Sequence, residues 1–507
     1  MSSPEPTGMS LSPGKSYHQI LKSSFVVGGA SFINIVLGIV RTKVLALLLG
    51  PTGVGILGIY NSVVQTAGAL MGLGIGRSAV RQIAEASGTG LPNRCAKSVA
   101  GTLRWSLILA LTGGAVMFFS REAISKFMFH SVEQATDIGW LGLAVFCGIL
   151  SAGQIGVIQG TRNVRFLANQ SVVGALFGTL VGLPIIYFRG RAGVVWVVLA
   201  VGLAGLGSSW LYMRKVTLSK TRLTWQDFWT EGRSLIGLGV ILMMTGLLST
   251  GTLLVVRILL NRQMGEAATG YFQAAFGVSV VYLDFILQAM GADFYPRLAA
   301  AAHDHDLCNR SVNEQLEIAL LMAGPLILAM LAFAPVVIYL LYAKGFEPAC
   351  EILRWQILGS LFKVTAWPVG FILLAKNQGW KFFVCELLWN VTYLGIILLG
   401  IRSFGLVILG TGFAAAYALL LCWVLLLGAR VTGFSLNGVN RRLVGTFFAA
   451  AVLIFLLNRF ANPGAHYVLS SMIVLVCGYW SLTKLYWVVG REKLSAIRCK
   501  IISRFSS

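Results

Sequence analysis

The sequence predicts an all-α integral membrane protein of about fourteen transmembrane helices. They form two six-helix lobes related by a parallel pseudo-repeat, with two extra helices at the C-terminus. Three observations predict it. Hydrophobic residues are 57% of the 507 and charged residues 11%, with mean hydropathy +0.79, too little charge to cover a soluble surface of this size. Apolar runs near the ~20 residues that cross a bilayer core recur along the whole chain. Lys and Arg gather in alternate short connections between those runs. A soluble multidomain enzyme is excluded.

The expected spans are 24–49, 53–76, 99–119, 138–160, 166–188, 193–213, 234–260, 270–293, 317–341, 352–375, 380–401, 405–429, 443–460 and 466–489. With the N-terminus cytoplasmic, roughly 25 of the 40 Lys and Arg fall on the cytoplasmic side, roughly 8 on the other and about 7 in or at the edges of spans. Both termini are then cytoplasmic. Residues 1–18 are rich in Ser, Pro and Gly, lack an apolar core, and read as a disordered tail rather than a cleaved signal. The lobes are 19–213 (spans 1–6) and 234–430 (spans 7–12), joined by a cytoplasmic linker, 214–233, whose aromatics and charges suggest an amphipathic interfacial segment. Spans 13–14 occupy 431–490, and 491–507 is a basic cytoplasmic tail that suits an anionic lipid surface. The outer loops are too short for a soluble domain.

The net charge of +22 follows the loop bias, and no basic stripe with interleaved aromatics stands clear of the spans, so nucleic acid is not an expected partner. The eight cysteines include no CxxC pair and form neither a disulfide framework nor a metal site. His303-Asp304-His305-Asp306 with Cys308 reads as a solvated loop, because no second ligand cluster accompanies it. No motif for a cofactor or for catalysis appears in a fitting context, and a monomeric non-enzyme is expected.

The two halves repeat at an offset of about 215 residues. Gly50-PTGV-Gly55 after the first span matches Gly265-EAAT-Gly270 after the seventh. Arg81-QIAEA matches Arg297-LAAAA, Arg41 and Lys43 bracket the counterpart of Arg257, and Arg162-Asn163 matches Lys376-Asn377. Six spans separate equivalent positions, so both halves enter the membrane in one sense. Transporters that rock two bundles around a site are built on such repeats.

A Lys or Arg at a helix centre costs roughly 2.5–3.5 kcal/mol on insertion scales, so several of them should face a wet cavity or a partner. Arg104, Lys376 and Lys484 lie near span ends and snorkel. Arg41, Arg257 and Lys363 lie deeper, and with Lys43 and Arg354 they are the candidate substrate-binding cations. Polar residues share helical faces with them: Ser31, Asn34, Gly38 and Arg41; Asn61, Gln65, Gly68 and Gly72; Gln356, Ser360, Lys363 and Trp367; Glu386, Asn390 and Tyr393. Asn34, Asn61, Gln65 and Gln356 join the candidates, although such stripes also serve as helix–helix glue. Glu386 and Asp284 either couple transport to an ion or neutralise a buried cation. Asp293, near a span end, reads as structural.

The motif Leu49-Gly50-Pro51-x-Gly53-x-Gly55, followed by Arg81 and Glu85, resembles polysaccharide transporters of the multidrug/oligosaccharidyl-lipid/polysaccharide superfamily. Trp355-Gln356-x-x-Gly359-x-x-x-Lys363-Val364, then Gly370, Ala375-Lys376 and Glu386, resembles the Wzx-type flippases of O-antigen and enterobacterial common antigen units. Tyr282-Leu283-x-Phe285-Ile286 does so too. The resemblance covers about residues 20–430. It implies a bacterial inner-membrane flippase that passes the headgroup of an undecaprenyl-pyrophosphate-linked oligosaccharide through a cationic central cavity by alternating access, while the polyprenyl tail stays among membrane lipids. Glycan polymerase and chain-length machinery are the partners that it implies. Spans 13–14 depart from the usual twelve and match the lipid II flippases, which keeps lipid II or another polyprenyl-linked glycan as an alternative. A multidrug exporter of the same superfamily is the second alternative. An exporter of cationic drugs would be expected to place acids where span 1 carries Arg41 and Lys43.

Overall fold

The computed structural model describes residues 13–88, 92–216, 221 and 223–505. Among the described residues there are helices and turns and no strand. A bilayer has no water to satisfy backbone N–H and C=O groups, and a helix satisfies them within its own segment.

In chain order the helices are α1 (Pro13–Met71), α2 (Ile75–Gly88), α3 (Pro92–Phe119), α4 (Arg121–Phe129), α5 (Ala135–Gly160), α6 (Val164–Arg189) and α7 (Val194–Met213). Then come α8 (Trp225–Phe276), α9 (Tyr282–Ala300), α10 (His305–Ala332), α11 (Ala334–Leu341), α12 (Pro348–Ala375), α13 (Gly379–Phe404) and α14 (Val407–Thr432). Last are α15 (Gly438–Phe460) and α16 (Pro463–Phe505). Ten stretches of the described residues are long and apolar enough to cross a membrane. One of them, Gly29–Met71, bends at Gly50, and another, Val164–Met213, is broken by a 3-10 turn at Gly190–Gly193. The ten therefore supply twelve arms. The two other expected spans, 234–260 and 270–293, fall on α8 and, across a π-helical turn at Gly277–Val281, on α9.

The repeat is written in the backbone. Gly50 (φ 64°, ψ −162°) bends α1, and Gly265 (φ 85°, ψ 177°), 215 positions later, bends α8. A side chain at positive φ meets the carbonyl that follows it, so glycine is the residue that turns here without strain. Pro51 then starts the next arm, where its missing N–H is no loss. The same offset relates His130 (φ 55°) to Gly345 (φ 93°), Arg162 (φ 57°) to Asn377 (φ 56°) and Gly190 (φ 56°) to Gly405 (φ 57°). It also relates both ends of α6 to both ends of α13. The backbone thus pairs Arg162 with Asn377, one position from the Lys376 that sequence matching pairs with it. One departure breaks the pattern. Leu73 and Gly74, both at positive φ, separate α1 from α2, whereas the π-helical turn separates α8 from α9.

The chain divides into two compact units. One holds Ile59–Leu254 with the chain up to Leu49, and the other holds Gly50–Gly58 with the chain from Val255. In the first, α3 packs on α5, α5 on α7 and α6 on α7; in the second, α10 packs on α12, α12 on α14 and α13 on α14. The second unit also carries α15 and α16 against α10. Asn313 of α10 clasps the entry to α15. It accepts from the Asn437 backbone (3.0 Å) and from the Asn440 side chain (2.9 Å), and donates to the Ser435 carbonyl (3.1 Å).

The segment expected to link the lobes is partly outside the described residues, at 217–220 and 222. Its last part, from Trp225, is helical. It forms the first turns of α8 and is held on the first unit by specific contacts. Lys97 pairs with Asp227 (2.9 Å), Ser98 and Gln82 donate to Glu231, and the Trp105 indole N–H donates to the Phe228 carbonyl (3.0 Å). Trp105 and Phe228 stack at 4.8 Å. At the chain ends, α1 starts at Pro13, inside the expected tail, residues 1–12 lie outside the described residues, and α16 runs on through the basic tail to Phe505.

Candidate functional site

In the first unit the first arm of α1 carries Arg41 and Lys43, both half-buried, less than three turns before the Gly50 bend. Asn34 on the same arm donates to the Ser171 hydroxyl of α6 (3.1 Å), so this member of the polar stripe joins helices. On the second arm Asn61 is half-buried and Gln65 is exposed. Close by, the buried Tyr60 donates to the Asp137 carboxylate of α5 at 2.6 Å.

In the second unit Arg257 is 7% exposed. It lies eight residues before Gly265, and Gln273 lies eight residues after it. The bend folds the two together, and the Arg257 Nε and Nη2 donate to the same Gln273 Oε1 at 3.1 and 2.6 Å. The amide is neutral, so this contact fixes the guanidinium without cancelling its charge. The Phe272 ring lies 5.8 Å from it. Backbone close approach frames the pair. A side chain at Gly55 would strike the backbone of Glu266, and one at Gly270 would strike that of Pro51. These two glycines each follow their bend by five residues, so the equivalent arms cross where both lack a side chain.

A second cluster in this unit joins α12, α13 and α14. The Lys363 ammonium lies 5.8 Å from the Tyr417 ring centre and interacts electrostatically with Glu386. Asn390, one turn on from Glu386, donates to its backbone carbonyl (2.7 Å). Trp389, Tyr393, Phe413 and Tyr417 pack around this corner with ring separations of 4.8–6.1 Å. Gln356, fully buried, accepts from Ser279 of the π-helical turn (2.8 Å). A π turn interrupts the backbone ladder and often marks a functional place in a helix. This one bears on the polar face of α12.

The structure does not bring every candidate to these clusters. Arg354 is nine residues before Lys363, about 13 Å along α12. Its nearest carboxylate is Glu351, at 3.5 Å. Asp284 and Asp293 lie on α9, and their side chains are outside the described ones. Of the residues expected to snorkel, Lys376 does something more specific. Its ammonium donates to the Ala302 carbonyl, just past the end of α9. Lys484 lies 4.8 Å from the Trp480 ring, and Arg104 is exposed. In the His303–Cys308 loop Asp304 caps α10, accepting from the Asp306 and Leu307 N–H groups (2.8 and 3.1 Å).

Three residues emerge only in three dimensions. Gln273 meets Arg257 across a bend, at a spacing that no helical period connects. Tyr417 comes to Lys363 from α14. His466, buried at the start of α16, lies within electrostatic reach of Arg354.

Known proteins agree with this architecture. The lipid III flippase of Escherichia coli (strain K12) is 22% identical over 368 residues, 70% of this chain and 85% of that protein. The lipid II flippase MurJ, in an inward closed conformation, superposes with a TM-score of 0.68 at 11% identity, over 92% of this chain and 99% of its own. An inward-facing multidrug resistance MATE transporter of the MOP superfamily gives 0.67 at 18% identity, over 79% and 96%. At such identities these two structures establish the fold. The family model for polysaccharide biosynthesis proteins matches residues 44–351, and the chain, a multi-pass helical membrane protein, belongs to that family.

Proposed function

We propose that this protein is a flippase that moves an undecaprenyl-pyrophosphate-linked oligosaccharide, an O-antigen or related surface-glycan unit, from the cytoplasmic to the periplasmic leaflet. It works by alternating access through a cationic cavity and is a transporter, not an enzyme. The observation that carries this reading is Arg257: a buried guanidinium held by the side-chain amide of Gln273 across the Gly265 bend. A cation at such depth is costly unless a partner or an anionic ligand compensates, and a pyrophosphate suits a guanidinium fork. Arg41 and Lys43 hold the equivalent places in the other half and serve the same headgroup. Lys363 and Gln356, with Asn61 and Gln65, complete the polar lining. Glu386, opposed to Lys363, carries a coupling ion, and Asp284 is a second acid for that role. The family membership and the lipid III flippase support the class of substrate.

The lobes in this reading are spans 1–6 and 7–12, with the protein in a bacterial inner membrane and both termini cytoplasmic. Its partners are the lipid-linked glycan, membrane lipids, and the glycan polymerase with its chain-length machinery. Lipid II or another polyprenyl-linked glycan is the second reading, favoured by the presence of α15 and α16 and by the extent of the lipid II flippase match. A multidrug exporter fits less well, since span 1 carries the cations Arg41 and Lys43 where an exporter of cationic drugs would be expected to place acids.

Export of surface glycan in intact cells, at matched protein level, tests the site. Arg257→Gln removes charge-assisted hydrogen bonds of about 1.5–3 kcal/mol each, and export should fall by roughly 10–100-fold. Arg257→Lys, which keeps the charge and loses the fork, should fall between. Normal export by Arg41→Ala, Arg257→Gln, Lys363→Ala and Glu386→Gln alike would sink the cavity reading. Flipping of defined lipid-linked sugars by reconstituted protein separates the oligosaccharide from lipid II.

A further inference from the structure

The first unit carries an apolar groove that the transport reading does not use. It lies between α3 and α5, beside the short helix α4, and encloses about 560 Å³. Two glycines shape it. A Cβ at Gly142 would stand 3.0 Å from the Gly114 carbonyl oxygen, and one at Gly114 would stand 3.3 Å from that of Gly142, so the two helices pack backbone to backbone there. Phe118 of α3 and Phe146 of α5 line the groove from its two sides. On α5 the lining runs from Thr136 to Phe146, about 15 Å of helix. That is half of a ~30 Å hydrocarbon core, the depth of one leaflet.

The charge of the groove sits at one end. Arg121, the first residue of α4, is the one ionisable side chain in the lining. Its Cδ lies 3.5 Å from where a Cβ of residue 139 would be, so the missing side chain of Gly139 makes room for the arginine stem. The guanidinium stands 4.6 Å from the centre of the Phe118 ring. Stacking uses a face of the guanidinium and leaves its in-plane N–H donors for an acceptor. No carboxylate pairs with Arg121 among the described residues. Glu122 and Glu133 are exposed and outside the lining, and Asp137 is engaged by Tyr60. Trp140, next to Gly139, lines the same end and pairs with Trp196 of α7 at 4.9 Å, and Arg189 stands 5.3 Å from the Trp196 ring. Tryptophan and arginine at one end of an apolar track suit the depth of lipid headgroups.

We propose that this groove is a binding site for an anionic phospholipid, with one acyl chain between α3 and α5 and the phosphate on Arg121. A groove one leaflet deep fits an acyl chain rather than a longer one that crosses the bilayer. A zwitterionic headgroup offers the same phosphate but adds a cation that Arg121 repels, so a net negative headgroup is preferred. On the orientation that the charge bias predicts, the lipid belongs to the outer leaflet. The site stands apart from Arg257 and does not rest on the flippase reading.

The test places full-length protein in nanodiscs of phosphatidylglycerol and phosphatidylcholine in equal parts, and reads the lipids that it retains by native mass spectrometry. Selective retention of phosphatidylglycerol is expected. Arg121→Gln should weaken it about tenfold, and Arg121→Lys, which keeps the charge, should weaken it less. Arg459→Gln, which removes an exposed cation from the second unit, should change it little. Gly139→Leu keeps every charge and fills the groove, so it too should lose retained phosphatidylglycerol, and it decides the matter if Arg121→Gln does not fold. The proposal is overturned if the two lipids are retained equally, if either Arg121→Gln or Gly139→Leu retains phosphatidylglycerol as its parent does, or if Arg459→Gln weakens retention as much as Arg121→Gln.

Discussion

At the scale of single residues, cost made the cations visible in the sequence and geometry then sorted them. A cation inside a span is expensive in a bilayer, so Arg41, Arg257 and Lys363 stand out in the sequence alone. What each one does was hidden. Gln273 reaches Arg257 only because Gly265 turns the chain back, and Lys376 caps a helix end that no spacing announces. The two bends make a residue-scale prediction. Gly50→Ala and Gly265→Ala each force a Cβ into a conformation, positive φ with ψ near 180°, that is essentially confined to glycine, which costs roughly 1–3 kcal/mol. Unfolding of purified protein in detergent should show both variants destabilised by about that amount. A neutral result at both would mean that the bends relax at no cost. Glycine at Gly55 and Gly270 answers to a different demand, the close backbone approach, and larger residues there should lose folded protein altogether.

At the scale of elements, hydropathy located the spans and missed how they join. The 214–233 segment has the aromatics and charges of an amphipathic interfacial segment. Its second half begins α8, and Lys97, Ser98, Gln82 and Trp105 offer it partners from the first unit. Those partners lie more than a hundred residues away, beyond any local pattern. The Asp227 carboxyl is held below the usual range, chiefly by the hydrogen bond from Lys97 and then by Thr224. A lowered value in the folded state gives a contact that is fully present above the ordinary Asp value near 3.9 and lost as pH falls through the lower one. Hydrogen exchange in peptides covering 224–233 should therefore stay slow into the mildly acid range. In Lys97→Ala the same peptides should exchange faster already at neutral pH. Equal exchange in the two proteins would remove Asp227 from the account. The π-helical turn was equally hidden, since nothing in Gly277–Val281 distinguishes it from an ordinary apolar stretch.

For the whole molecule, composition and loop charge were sufficient for the fold class, and four short matches were sufficient for the repeat. The structure adds the register, because the helix breaks keep their spacing where residue identity has drifted. Orientation is the property that chemical labelling tests. With the termini cytoplasmic, a membrane-impermeant maleimide should label His130→Cys and Arg191→Cys, both at exposed positions, in intact cells of a cysteine-free background. Cys95, half-exposed at the start of α3 and restored to that background as its single cysteine, should react only after the membrane is opened. The opposite pattern would invert the topology and, with it, the direction of transport.

The four pairs of left-handed positions have one more consequence. Twins 215 positions apart share a positive φ but not a neighbourhood, so the chain contains its own paired comparisons. His130 holds a conformation that glycine adopts freely, and its twin is Gly345. Replacing His130 by Gly should relieve strain, and replacing Gly345 by His should impose it. Whatever part of the two effects fails to mirror belongs to the surroundings of each site. The internal repeat thereby becomes an instrument for separating the energetics of the backbone from those of its environment.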